Sequence, residues 1–292
     1  MYRYYGVVRN YLLVLFLPLS VPVFAHVNLW KDSTEAELRK NFERLSSNSL
    51  NRFAECKYSQ YGEEGIIKEI FRRLQIEKGF FVEFGAMDGI EISNTRSLWE
   101  SGWEGVMIEP SSDLYNELSL NYPRDSGVMP LKLAVTYKAD DKNGLLFDEI
   151  YQRYFPEREI DFLSIDVDGA DYYILKGLKC RPKVIMIEAN LAWHPLIKQE
   201  VCEEIALANR QQPLEVYIEV AKRMGYEPVC LTINLFLVRK DLHEAFKETP
   251  NDAMSLWRDA FRALPFKSSL PSILQQWEEV DYSAICPIDE QF

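Results

Sequence analysis

Phe80-Phe81-Val82-Glu83-Phe84-Gly85-Ala86-Met87-Asp88-Gly89 is the stretch that decides how this 292-residue chain folds. Its first half, opened by Gly79, has the length and apolar content of a strand buried on both faces. Its second half carries two glycines, which let the backbone turn sharply and let a ligand approach without a Cβ in the way. Upstream, Ile66, Ile67, Ile70, Phe71 and Leu74 repeat at helical spacing. A helix feeding a buried strand that ends in a glycine turn is the opening unit of an α/β sheet.

The pattern continues outward. Strands are predicted at Gly105 to Glu109, Val128 to Val135, Asp161 to Ile165 and Val184 to Glu188, with helices at Asn94 to Glu100, after Pro110, at Ala170 to Leu178 and at Leu214 to Met224. Ser111 or Ser112 can cap the helix after Pro110. Tyr226 to Val238 reads as two β segments joined by a tight turn near Asn234. Alternating strands and helices imply right-handed crossovers. The expected architecture is an α/β, Rossmann-like doubly wound sheet of about seven strands, mostly parallel with a C-terminal antiparallel strand, with helices on both faces.

This domain is assigned to residues 58–240. Residues 241–292 form a C-terminal helical extension, with Trp257, Phe261 and Leu264 on one helical face and Pro265 and Pro271 breaking up the remainder. Residues 29–57 read as a helical linker, carrying Leu38, Phe42 and Leu45 at three- and four-residue spacing. Residues 1–28 read as a signal peptide or signal anchor: Arg3 and Arg9 precede an apolar run from Tyr11 to Phe24, and Ala25 follows as a small residue for cleavage. The run is shorter than the about 20 residues that span a bilayer, and Pro18 and Pro22 interrupt it. Export or membrane association follows if the segment is a signal or anchor, and a cytoplasmic location if it is not.

Acidic residues outnumber basic ones, 45 to 33, for a net charge of −12, and no Lys/Arg block is long enough to track phosphates. Nucleic-acid partners are therefore excluded from the expectation. The five cysteines, Cys56, Cys180, Cys202, Cys230 and Cys286, form no C-x-x-C pair and no zinc pattern, and read as buried thiols, with one or two bridges open to an exported chain.

Chemistry is expected at the carboxyl ends of the strands, at the point where strand order reverses. After the first strand the glycines are spaced G-x-x-x-G, not G-x-G-x-x-G, and Glu83 and Asp88 would repel a pyrophosphate. A nicotinamide-dependent oxidoreductase is accordingly disfavoured. Acid-flanked glycines suit a ligand with positive charge, such as the ammonium and sulfonium groups of S-adenosylmethionine. Glu109, at the end of the second strand, stands where a carboxylate can accept both ribose hydroxyls. Taken singly, Glu83 and Glu109 could each be a solvent-facing acid; at successive strand ends they favour a ligand.

These segments resemble the FkbM-like family of S-adenosylmethionine-dependent methyltransferases. The resemblance lies in Phe81 to Gly89, in Val106-Met107-Ile108-Glu109-Pro110, and above all in Asp161-Phe162-Leu163-Ser164-Ile165-Asp166-Val167-Asp168-Gly169-Ala170-Asp171 followed by Leu175-Lys176-Gly177-Leu178. Val184 to Glu188 matches the next strand, and Tyr58-Ser59-Gln60 with Glu63 and Glu64 is similar to a segment ahead of the cofactor loop. Family members commonly have Asn at the position of Asp88, Lys at that of Ser164 and Glu at that of Asp168.

The resemblance implies O-methylation of a hydroxyl on a sugar, glycan or other natural product, with S-adenosylmethionine held by Glu83, Gly85, Ala86, Asp88, Gly89, Glu109 and Asp166. A general base then helps remove the hydroxyl proton. Asp166, Asp168, Glu188 and His194 follow the fourth and fifth strands and are the candidates, with Asp166 first. No residue is assigned as a metal ligand, although Asp166 and Asp168 as a pair could hold a divalent cation. Asp168 could equally cap the following helix, and His194, in Ala192-Trp193-His194-Pro195, could be a surface residue. Trp99, Trp103 and Trp193 could stack on a ligand or fill the core. The expected partner is a small-molecule or glycan acceptor, and the acidic surface fits a neutral or cationic one. The alternative is a non-catalytic methyltransferase-like binding or trafficking module, tethered to or exported across a membrane.

Overall fold

The computed structural model describes residues 43–263 except 190, 192, 209 and 210. In chain order the strands are β1 (Phe80–Phe84), β2 (Glu104–Ile108), β3 (Val128–Leu131), β4 (Val135–Thr136), β5 (Leu145–Leu146), β6 (Phe162–Ile165), β7 (Val184–Glu188), β8 (Tyr226–Leu231) and β9 (Asn234–Arg239). The helices are α1 (Glu63–Leu74), α2 (Arg96–Glu100), α3 (Ser112–Asn121), α4 (Phe147–Tyr154), α5 (Asp171–Gly177), α6 (Glu203–Ala208), α7 (Leu214–Arg223) and α8 (Ala253–Ala263).

Seven strands form one sheet in the order β3-β2-β1-β6-β7-β9-β8, and β4 pairs with β5 in a separate two-stranded ribbon. The pairs from β3 through β7 are parallel, while β9 runs antiparallel to both β7 and β8. This is the doubly wound sheet expected from the sequence, including its antiparallel C-terminal strand. The chain winds outward from β1 to β3, then returns to start again beside β1 with β6. The order therefore reverses between β1 and β6, which opens a crevice at their carboxyl ends.

The strand period divides the core into two layers. Phe80, Val82 and Phe84 of β1 pack on one face with Val106, Ile108, Leu163, Ile165, Ile185 and Ile187, under helices α4, α5, α7 and α8. Phe81, Met107, Phe162, Val184 and Met186 pack on the other with Ile66, Ile70 and Phe71 of α1 and Leu118 of α3. All five residues of β1 are buried. Each fully buried Phe or Ile contributes about 1.5–3 kcal/mol, so alternation along five-residue strands suffices to fix register.

Several expectations change in detail. The predicted strand Val128 to Val135 stops at Leu131, and Val135 instead pairs with Leu145 in the small ribbon. Both prolines in the sheet, Pro130 and Pro228, lie in its edge strands, where a missing N–H breaks no ladder, and Pro228 borders a register shift in β8. Helix α4 was not expected from the sequence; its first turn is fixed by Glu149, whose carboxylate accepts the Leu146 N–H at 3.0 Å. In the stretch read as a helical linker, residues 43–57 form turns and a short 3-10 helix, Leu50–Phe53, whose Leu50 is in the core; the earlier part lies outside the described residues. Helix α8 is the amphipathic helix expected around Trp257, and it buries Ala253, Leu256, Trp257 and Ala260 against the sheet's helical layer.

The apolar run Tyr11 to Phe24 also lies outside the described residues. Among those described, no helix is long and apolar enough to cross a membrane. Among the described residues Cys180, Cys202 and Cys230 are free thiols; Cys230 is buried, but Cys202 is exposed, contrary to the expectation of buried thiols throughout.

Candidate active site

The crevice is built from the glycine turn upward. Gly85 has φ +62°, and a Cβ there would lie 2.1 Å from the Asp166 backbone oxygen. Only glycine lets the end of β1 pass so close to the end of β6. Gly89, at φ +77°, is needed for a different reason: a Cβ would meet the Tyr122 ring at 2.4 Å and Leu118 at 2.6 Å. The first glycine joins the two halves of the site, and the second seats the turn on α3. Between them Ala86 is buried and donates its N–H to the Ile108 carbonyl at 3.2 Å. Asp88 accepts the N–H groups of Ile90 and Glu91, both at 2.8 Å, closing the turn on itself.

Glu109 stands beside this turn. Its Oε2 accepts the Met87 N–H at 3.0 Å and its Oε1 the Ser111 N–H at 2.7 Å. The carboxylate thus ties the end of β2 to the glycine turn and to the start of α3, in place of a cap from the Ser111 or Ser112 hydroxyl.

Glu83 is positioned otherwise than the sequence suggested. Its carboxylate is buried and accepts the Asn94 N–H at 2.8 Å, the Thr95 hydroxyl at 2.6 Å and the Ser93 hydroxyl at 3.1 Å. It clamps the loop 93–95 instead of facing the crevice. Burial pushes its carboxyl up to about 6, against the three hydrogen bonds that favour the charged form.

Asp166, one residue beyond β6, is half-buried at the switch point. Burial, then the charges of Glu188, Asp171, Asp168 and Glu83, push its carboxyl well above the usual range. One oxygen from each of Asp166, Asp171 and Glu188 lies within 4.8 Å of the others. Asp171 begins α5, where its Oδ1 accepts the Val167 N–H and its Oδ2 the Gly169 N–H, both at 2.8 Å. Gln211 bridges the acids: its Nε2 donates to Asp171 at 3.1 Å and to Glu188 at 2.8 Å, while the Tyr217 hydroxyl donates to its Oε1. Asp171 thus does the capping that the sequence offered to Asp168, which is exposed with φ +58°.

His194 is buried, not on the surface. Its Nδ1 accepts the Leu196 N–H at 3.2 Å, and burial lowers its imidazole to about 4. It is neutral at physiological pH and, so strongly shifted, only weakly basic. Trp103 is a core residue against Phe71, and Trp99 packs edge-on to Tyr122.

Sequence reasoning missed Tyr61, Asp171 and Gln211. Tyr61 is buried, and the charges of Glu63, Glu188 and Asp166 reach its phenol, which burial first of all pushes up. Glu63 accepts the Tyr61 N–H at 2.7 Å, the Thr232 hydroxyl at 2.7 Å and the Asn234 Nδ2 at 3.1 Å, pinning the segment ahead of α1 to the β8–β9 turn. An acid as the first residue of a helix was the available signal for Asp171; nothing local marks Tyr61 or Gln211. Elsewhere, an open groove of about 550 Å³ runs between α4 and α5, where the rings of Tyr137 and Tyr173 stack 5.0 Å apart.

A mostly parallel seven-stranded sheet with this order, and with acids and a glycine turn at its switch point, defines the class of Rossmann-like doubly wound folds. Within it, residues 132–228 match the family model described as the methyltransferase FkbM domain, which bears out the resemblance noted in the sequence. The match runs through β6, α5 and β7. Solved structures similar to the chain include an O-methyltransferase from Bacillus cereus in complex with SAH, 15% identical over 71% of this chain and 92% of that one, with a TM-score of 0.38. A TehB-like SAM-dependent methyltransferase from Corynebacterium glutamicum is 12% identical over 62% of this chain and 88% of that one, with a TM-score of 0.35. No curated protein matches the sequence.

Proposed function

We propose that the chain transfers a methyl group from S-adenosylmethionine to a hydroxyl of a sugar, glycan or other natural product. The observation that carries this reading is the convergence of the Gly85 turn, Glu109 and Asp166 at the switch point of the sheet. The residues fit the cofactor. Each Glu109 oxygen accepts a single backbone N–H and so keeps a lone pair for a ribose hydroxyl. The acids around Asp166 suit a cationic ligand, and Gly85 leaves the backbone open to it.

When bound, S-adenosylmethionine supplies a methyl group already activated by its sulfonium. The chain's own residues have to align the acceptor oxygen, exclude water and receive its proton. Asp166 is the group suited to the proton, because burial and neighbouring carboxylates raise its proton affinity well above that of an ordinary carboxylate. Asp168 is the exposed second candidate, and Glu188 acts with Gln211 to fix the wall of the crevice. His194 is a weaker candidate base than its type suggests, and Glu83 holds the neighbouring loop 93–95 in place. The acidic surface favours a neutral or cationic acceptor.

The second reading is a non-catalytic module tethered to or exported across a membrane. The apolar run Tyr11 to Phe24 favours it. Full-length protein incubated with methyl-labelled donor and a panel of glycans and small hydroxylated compounds separates the two. Transfer into at least one acceptor is expected, with Asp166→Asn about a hundredfold slower at nearly unchanged cofactor affinity. Cofactor binding without transfer to any acceptor would favour the module.

A further inference from the structure

Three carboxylates converge at the switch point of the sheet. The charges that act most strongly on Asp166 all belong to carboxylates: Glu188, Asp171, Asp168 and Glu83. Gln211 donates to both Asp171 and Glu188 and holds their carboxylates side by side. Oxygens of Asp166, Asp171 and Glu188 within 4.8 Å of one another form an all-oxygen set at the spacing a single hard cation can span.

Strand register supplies a second, independent observation. Ser164 pairs with Met186 and Ile165 with Ile187, so Asp166 follows beside Glu188 on the face that carries Ser164. Glu188 in turn lies directly opposite Asn234 in the antiparallel β7–β9 pair, which puts their side chains on one face as neighbours. Two buried oxygens on this face have no hydrogen-bond partner, the Ser164 Oγ and the Asn234 Oδ1. Ser164 is 0% exposed and Asn234 4% exposed. A buried acceptor left unsatisfied is costly, and the Asn234 Oδ1 opposite Glu188, with the Ser164 Oγ deeper on the same face, marks a ligand with positive charge and oxygen affinity.

We infer that Asp166, Asp171 and Glu188, with Asn234 beside them, form a binding site for one divalent cation of the magnesium or manganese type. Three monodentate carboxylate oxygens would leave the remaining positions to water or to an acceptor oxygen. An ion held there would lower the proton affinity of Asp166, leaving the exposed Asp168 to take the acceptor's proton. This inference deepens the methyltransferase reading but stands on different residues from the ribose contact at Glu109.

The test uses full-length, chelator-treated protein titrated with Mn²⁺, with the free ion followed by its electron paramagnetic resonance signal. One ion per chain is expected, displaceable by Mg²⁺. Asp166→Asn and Glu188→Gln, checked for folding by circular dichroism, should each weaken binding at least about tenfold. If Glu188→Gln does not fold, the half-buried Asp166→Asn carries the test. No binding by the folded parent at millimolar Mn²⁺, or unchanged binding in the folded variants, overturns the site. S-adenosylmethionine is titrated separately in chelator. Cofactor binding without Mn²⁺ binding overturns the ion site and leaves the methyltransferase reading. Mn²⁺ binding that those variants weaken, without cofactor binding, upholds the site and overturns that reading.

Discussion

Glu83 and Glu109 illustrate how two acids at successive strand ends come to differ in role. Glu109 keeps oxygens available beside the glycine turn, whereas Glu83 is enclosed by Ser93, Asn94 and Thr95. With its folded pKa raised to about 6, Glu83 contributes stability that is fully present below the unfolded value near 4.5 and is lost as pH rises through 6. The difference amounts to about 2 kcal/mol. Thermal melts at pH 5 and 7.5 should therefore differ less in Glu83→Gln than in the parent. His194 works in the opposite sense: its pKa of about 4 means stability present above about 6.5 and lost as pH falls toward 4. Its imidazole resonances should not titrate between pH 6 and 8. The sequence could identify these acids because strand ends are legible from apolar runs. It could not tell that Glu83 turns toward residues 93–95, since that depends on a loop whose path is fixed by tertiary hydrogen bonds.

At the scale of elements, the glycine turn is the junction on which β1, β2 and β6 meet. Gly85→Ala would strain a φ of +62° and drive a Cβ into the Asp166 carbonyl. A cost of about 2–4 kcal/mol is expected, read as a lower melting temperature together with weaker cofactor binding. Strands β1, β2, β6 and β7 were legible because each is a short apolar run buried on both faces. Helix α4 was missed although Phe147, Ile150, Tyr151 and Tyr154 repeat at helical spacing, because the pattern lasts only two turns and its N-terminus is fixed by a single side chain, Glu149. The predicted long strand after Val128 failed because apolar content continues to Val135, while the sheet edge ends pairing at Leu131.

For the whole molecule, residues on either side of the predicted 58–240 domain pack into its core. Leu50 from the preceding segment and Trp257 from α8 are both buried, and Asn51 donates to the Leu231 carbonyl at 2.8 Å. Trp257→Ala should cost about 3–5 kcal/mol, measured by denaturant unfolding; a loss below about 1 kcal/mol would mean that α8 is an appendage. Long-range convergence also explains why the crevice was only half legible. Asp166 and Glu188 could be read from strand ends, but Tyr61, Gln211 and Asn234 reach it from three other parts of the chain.

In our proposal Glu109 and the Gly85 turn hold S-adenosylmethionine at the switch point between β1 and β6. Calorimetric titration of the full-length protein with S-adenosylmethionine, alongside Glu109→Ala, tests this most directly. Binding of one cofactor per chain, weakened about tenfold or more in the variant by loss of the ribose hydrogen bonds, is the predicted result. No binding by the folded parent, or equal affinity in Glu109→Ala, would contradict it.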